Sequence, residues 1–254
     1  MRIGFGKVFL SELQKTKNTW GLTLSLLGPL AVTIIMIIAW IDNGPEATNE
    51  ISPWNDYVRY TYNFYFFLYP LFAALIAFML SNVEHKNKGF KQLFTLPAAK
   101  SHFYFSKVMI LLFWIACSLL LALGLLLLSG ELLALIYPNY GFQEYRPTRA
   151  MLIFPVRMYI TLLSIIAIHF FMSLYWDNFM VAVGSAVFLL VFGMILINNW
   201  KYDYLFPYTY PVLHWLEVGQ GNEKIFTRES WISLGYALFF FVAGYFLMAR
   251  KNIT

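Results

Sequence analysis

Residues 83–107, VEHKNKGFKQLFTLPAAKSHFYFSK, separate two long apolar runs and set how the rest of the chain is read. Lys86, Lys88, Lys91, Lys100 and Lys107 crowd this stretch, while the flanking runs 60–80 and 109–128 carry no acidic or basic residue. Membrane proteins concentrate Lys and Arg in their cytoplasmic segments, so the stretch is expected to face the cytoplasm. Phe90, Leu93 and Phe94 fall at i, i+3 and i+4, which predicts a short helix with one apolar face. Pro97 closes that helix and can open the next one at its first turn.

Composition agrees with this reading. Hydrophobic residues make up 60% of the chain and charged residues 12%, about half the charged share of an ordinary soluble domain. A soluble chain of 254 residues would need more charge to cover its surface. The formal net charge of +5 does not imply nucleic acid, because the basic residues sit at the edges of apolar runs and form no single patch. Cys117 is the only cysteine, so no intramolecular disulfide can form. The first fifteen residues carry Glu12, space their apolar side chains and lack a small-residue cleavage site, so they are not read as a signal peptide.

Runs of about 20 apolar residues cross a bilayer as helices, and six are expected, at 20–40, 60–80, 105–128, 155–175, 179–197 and 231–248. The expected fold is therefore an all-α membrane protein of six transmembrane helices, read as one six-span domain over 1–254. Both termini fall on one side. With that side inside, eleven Lys and Arg face inward and seven outward, while ten of the thirteen acids face outward; this predicts N-in, C-in. Residues 1–18, with Phe5, Val8, Phe9 and Leu13 on one face, predict an amphipathic helix lying in the inner interface. Residues 83–104 form the inner segment, and 41–59 and 129–154 are expected as outer connectors. Residues 198–230, dense in Trp and Tyr around Pro207 and Pro211, predict an aromatic external segment at headgroup depth.

No catalytic motif occurs. The chain has no phosphate-binding loop, no G-x-S-x-G and no H-E-x-x-H, and its four histidines are scattered without metal-ligand spacing. No catalytic residue and no metal ligand is expected. Two ionisable groups fall within the fourth run. Arg157 lies near its outer end, where its long stem can reach the outer headgroups, and His169 lies nearer its middle. An intramembrane ionisable residue is a functional candidate by default, and a neutral His hydrogen-bonded between helices is the plainer alternative. Ala73, Ala77 and Ser81 on the second run, and Ala182 and Ala186 on the fifth, recur at every fourth position. Small residues at that spacing let helix backbones approach closely, either within the bundle or at a subunit interface or translocation path.

Glu84, Gly89, Leu93, Leu96-Pro97-Ala98, Lys100 and Lys107 together resemble the E…G-[ST]-x-x-x-L-L-x-x-P-x-[ST]-[RK]…K signature of ABC transporter permeases of the second exporter type. The branch most similar is the lantibiotic-immunity and bacitracin-export group. Phe90 and Ala99 stand where that family often has Ser or Thr. The layout of nearly the whole chain is similar to the family's. The resemblance implies a permease of a bacterial cytoplasmic (inner) membrane, dimeric with a second permease subunit and driven by cytoplasmic ABC ATPase subunits. This chain would bind no cofactor, with ATP and Mg held on the ATPase. Glu84, Lys88, Gly89, Phe90, Lys91, Leu93, Phe94 and Pro97 are the ATPase-coupling candidates: Phe90, Leu93 and Phe94 would fill a groove on that partner, and Lys88 and Lys91 would steer it. The expected activity is export of an amphiphilic substrate such as a peptide antibiotic. The alternative is a membrane anchor or scaffold for a secretion, motility or maturation complex.

Overall fold

The computed structural model describes residues 4–17, 20–43, 53–86, 98–140, 142, 149–219 and 224–250. Among them every regular element is helical: α1 (Phe5–Thr16), α2 (Trp20–Asn43), α3 (Pro53–Lys86), α4 (Lys100–Ile136), α5 (Arg149–Tyr175), α6 (Phe179–Asn199), α7 (Tyr210–Gly219) and α8 (Arg228–Arg250). Helices are what an apolar solvent demands, because each satisfies its own backbone donors and acceptors. Six of them, α2 to α6 and α8, are long and apolar enough to cross a membrane.

Three helices overrun their expected ends, α5 by starting at Arg149 and α3 and α4 by longer additions. α3 begins at Pro53, where the missing N–H costs nothing in the first turn, so 53–59 belong to a helix and not to an exposed loop. α4 runs on through Leu-Leu-Ala-Leu-Ile to Ile136, eight residues past the expected boundary. Its 37 residues span about 55 Å, well beyond a hydrocarbon core of roughly 30 Å. Acids lie near the ends of four of the spanning helices: Asp42 on α2, Asp56 and Glu84 on α3, Glu131 on α4 and Glu229 on α8.

α3 and α5 form the centre of the bundle. More than half of their apolar windows is buried, against 17% for α6 and 22% for α8. α5 packs most extensively on α8 and α3, α2 lies against α3 and α4, and α6 flanks α3. Leu27, Ile38, Leu120, Phe188 and Leu238 point outward from the surrounding helices, as side chains facing lipid should. Interhelical hydrogen bonds stitch the interior. The Tyr57 hydroxyl meets Ser129 Oγ at 2.5 Å, and the Tyr69 hydroxyl donates to the Ser118 carbonyl at 3.0 Å, so two phenols of α3 fix its register on α4. Ser173 Oγ donates to Ser81 Oγ at 2.7 Å, joining α5 to α3. On the other side, Ser233 Oγ of α8 accepts from the Ser164 N–H at 3.2 Å and donates to the Ile160 carbonyl at 2.8 Å.

Two glycines make room for a neighbouring element. The Trp54 ring lies where a Cβ on Gly130 would stand, which locks the start of α3 against the last turns of α4. A Cβ on Gly193 would stand 3.0–3.1 Å from the Tyr208 backbone and Cβ, so α6 carries no side chain where the external segment crosses it.

Candidate functional site

Of the coupling candidates, Lys88, Gly89, Phe90, Lys91, Leu93, Phe94 and Pro97 lie outside the described residues; the backbone of Glu84 is in the last turn of α3, but its side chain lies outside them too. The described residues continue from Ala98, and α4 starts two residues on. What holds the exit of the coupling segment can therefore be read directly.

The first turns of α4 are tied to two other elements. Lys100 Nζ donates to the Ala249 carbonyl at 3.0 Å, at the C-terminal end of α8, where the helix dipole favours a cation. One turn on, the Tyr104 hydroxyl donates to the Phe241 carbonyl at 2.6 Å. Lys107 Nζ then reaches Glu12 of α1 at 2.8 Å. Both side chains are about 2% exposed, so this is a buried pair. Lys15 closes on the second oxygen of Glu12 at 2.5 Å. Burial pushes the Glu12 carboxyl up, but the two ammonium groups outweigh it and hold the group below its ordinary value. Phe5 adds an edge-on contact to the His102 ring with centroids 5.9 Å apart.

These contacts correct two expectations. The seam that α1 buries runs through a charged residue, as Val8, Glu12 and Thr16, and Phe9 and Leu13 of the expected apolar face are partly buried on the core beside it while Phe5 is exposed. Lys107 is not a free inner charge; it is paired inside the protein. Spacing within α1 hinted at this, since Glu12 sits between two residues of the same i, i+4 row. Its partner, 95 positions away, could not be found by any local rule.

The opposite end of the bundle holds a second buried polar group. Arg157 is 1% exposed and pairs with Glu217 of α7. It does not reach headgroups, because α7 folds over it and supplies the counter-charge. Around it, Tyr62 of α3 stacks on Phe154 of α5 at 3.9 Å, and Trp215 of α7 stands edge-on to both. His214 lies flat against Phe154 at 4.9 Å, its Nε2 at 3.3 Å from the Phe154 carbonyl. Burial, followed by the Arg157 charge, lowers the His214 value to about 3 against the pull of that carbonyl bond. His169 is buried and hydrogen-bonded to the Tyr208 hydroxyl of the external segment. The aromatic segment is thus clamped to α5 by Arg157 and His169 together, which composition alone did not show.

Ala73, Ala77 and Ser81 on α3 and Ala182 and Ala186 on α6 are buried by the chain's own helices, and α6 packs on α3 and on the turn at Pro207–Thr209. A small pocket opens where these helices meet near the α5–α6 connection, with Phe78, His169, Ser173, Trp176 and Ala182 in its wall. Among the described residues no His, Cys, Asp or Glu cluster could hold a metal ion.

A family model described as ABC-2 family transporter protein matches residues 8–193, from α1 through most of α6. The chain belongs to the ABC-2 transporter family. No curated protein and no solved structure matches it. As an ABC-2 permease it is a multi-pass membrane protein, the non-catalytic membrane subunit of an ABC transporter, and it partners an ABC ATPase subunit. The external segment and α8 lie beyond the matched region, so the clamp of this permease joins a family-like core at Arg157 and His169 to a part the family model does not cover.

Proposed function

We propose that this ABC-2 permease is half of an ATP-driven exporter of amphiphilic molecules in a bacterial cytoplasmic membrane, close to the lantibiotic-immunity and bacitracin-export branch. The observation that carries the reading is the basic, amphipathic stretch 83–104 in a chain that belongs to this family and has no phosphate loop of its own. Energy must come from the ATPase, and Phe90, Leu93 and Phe94 form the apolar face that would seat on it, with Lys88 and Lys91 steering approach. Orientation is N-in, C-in. With Lys107 and Arg157 set aside as internally paired, ten basic residues face inward against six outward. A second permease subunit completes the path, and ATP with Mg resides on the ATPase. The clamped aromatic segment shapes the exit.

The test is recruitment. Phe90→Ala with Phe94→Ala should leave the permease in the membrane at parental levels while the ATPase subunit no longer co-purifies with it. Undiminished co-purification would remove the docking role from this helix.

A further inference from the structure

The first two turns of α4 do more than leave the coupling segment. Lys100, Tyr104 and Lys107 occupy one stripe of α4 by their spacing, and each is bonded to an element other than those flanking it in sequence. Two of these bonds go to carbonyls of α8, Ala249 at its end and Phe241 more than two turns earlier. The third is of a different kind: a carboxylate and an ammonium, both about 2% exposed, with a second ammonium on the same carboxylate. A hydrogen bond to a backbone carbonyl can be exchanged for one to a neighbouring carbonyl as helices shift. A buried ion pair cannot, because parting the two groups strands a charge in a medium that solvates it poorly. Apolar contacts between helices also permit sliding, whereas a single charged pair fixes register. α1 is therefore obliged to follow any displacement of α4.

We infer that Glu12 is a positioning residue of the transport cycle: through Lys107 it ties the N-terminal helix to the exit of the coupling segment, so that the push of the ATPase moves α1 as well as the spans. This rests on the exporter reading above and gives α1 a task within it. In this role Glu12 acts through Lys107. Lys107, which the sequence signature shares with the family, thereby gains a mechanical role inside the permease.

The experiment uses the full permease–ATPase complex in lipid nanodiscs, with Cys117→Ser as background. Spin labels are placed at Leu10→Cys on α1 and Val187→Cys on α6, both at exposed positions. Distances are compared without nucleotide and after trapping with ADP and vanadate. The parent should show a shift of the α1–α6 distance on trapping. Glu12→Gln should lose that shift while the ATPase still co-purifies, and exchange of the pair (Glu12→Lys with Lys107→Glu) should restore it. A shift in Glu12→Gln equal to the parent's overturns the inference, as does a parent whose α1 stays still on trapping. If Glu12→Gln does not fold, the exchanged pair decides: folded but without the shift, it counts against the tie. Failure of the ATPase to co-purify with the parent is a separate result and removes the exporter reading on which the inference stands.

Discussion

Gly130 shows how much a single missing Cβ can decide. The indole of Trp54, 3% exposed, occupies the space a methyl group would need. Trp54 is also edge-on to Tyr57, whose hydroxyl meets Ser129, the residue before Gly130. A side chain at 130 would therefore press on a ring that is held on its other side, with little freedom to retreat. Gly130→Ala should destabilise the bundle by about 1–3 kcal/mol, the usual cost of overpacking a filled core. This would be read as a lower midpoint of thermal unfolding in detergent. Gly124, six residues earlier on the same helix, has open space within 4 Å of where a Cβ would stand. Gly124→Ala should leave the midpoint unchanged or raise it, since Ala has the higher helix propensity. An equal effect at both positions would show that Trp54 does not sit against Gly130.

At the scale of elements, α7 is a piece whose attachment depends on charge. It is short, it lies across α5 and α3, and it contributes Glu217 to Arg157 and His214 to the Phe154 carbonyl. His214 has a value near 3 when docked and about 6.5 when free. Between those values the undocked helix takes up a proton and the docked one does not, so docking weakens as pH falls below about 6.5 and is restored as it rises. The slope approaches about 1.4 kcal/mol per pH unit. Amide exchange in α7, corrected for the intrinsic rate, should accelerate between pH 7.5 and 5.5 while exchange in the centre of α3 does not; uniform protection of α7 across that range would place the protonated ring in a site that tolerates it. The same element shows where local sequence reasoning stops. Six spanning helices were legible because runs of about 20 apolar residues have few other uses. Their ends were not, since Leu-Leu-Ala-Leu-Ile after Gly130 reads equally as helix or as an apolar connector. The charge pairs were invisible, because Glu12 and Lys107, or Arg157 and Glu217, meet only after helices distant in sequence are brought side by side. Those pairings convert two residues expected at interfaces into internal fasteners.

For the molecule as a whole, the decisive property is its sidedness. The first turns of α4 gather α1 and the end of α8 through Glu12 and Ala249, and α7 caps the other end of the bundle. An impermeant amine reagent applied to intact cells should modify Lys201 and Lys224, both exposed, and spare Lys88 and Lys91 until the membrane is opened. Peptide mapping by mass spectrometry would report the pattern, and labelling of Lys88 in sealed cells would invert the whole arrangement. The central position of α3 and α5 gives this sidedness a mechanical axis, because the coupling segment follows α3 directly and the clamped external segment is fastened to α5. In the proposed exporter, push and exit therefore meet on the two best-covered helices of the bundle.

The hydroxyl of Ser233 bears on where such a bundle can yield. It is threaded into α5, accepting from one peptide group and donating to another a turn away. Slipping α8 along α5 by a single turn would leave that amide and that carbonyl facing hydrocarbon, so the two helices travel as one beam. α6 is the least covered of the spanning helices and buries Ala182 and Ala186, so in the proposed transport cycle sliding costs least there.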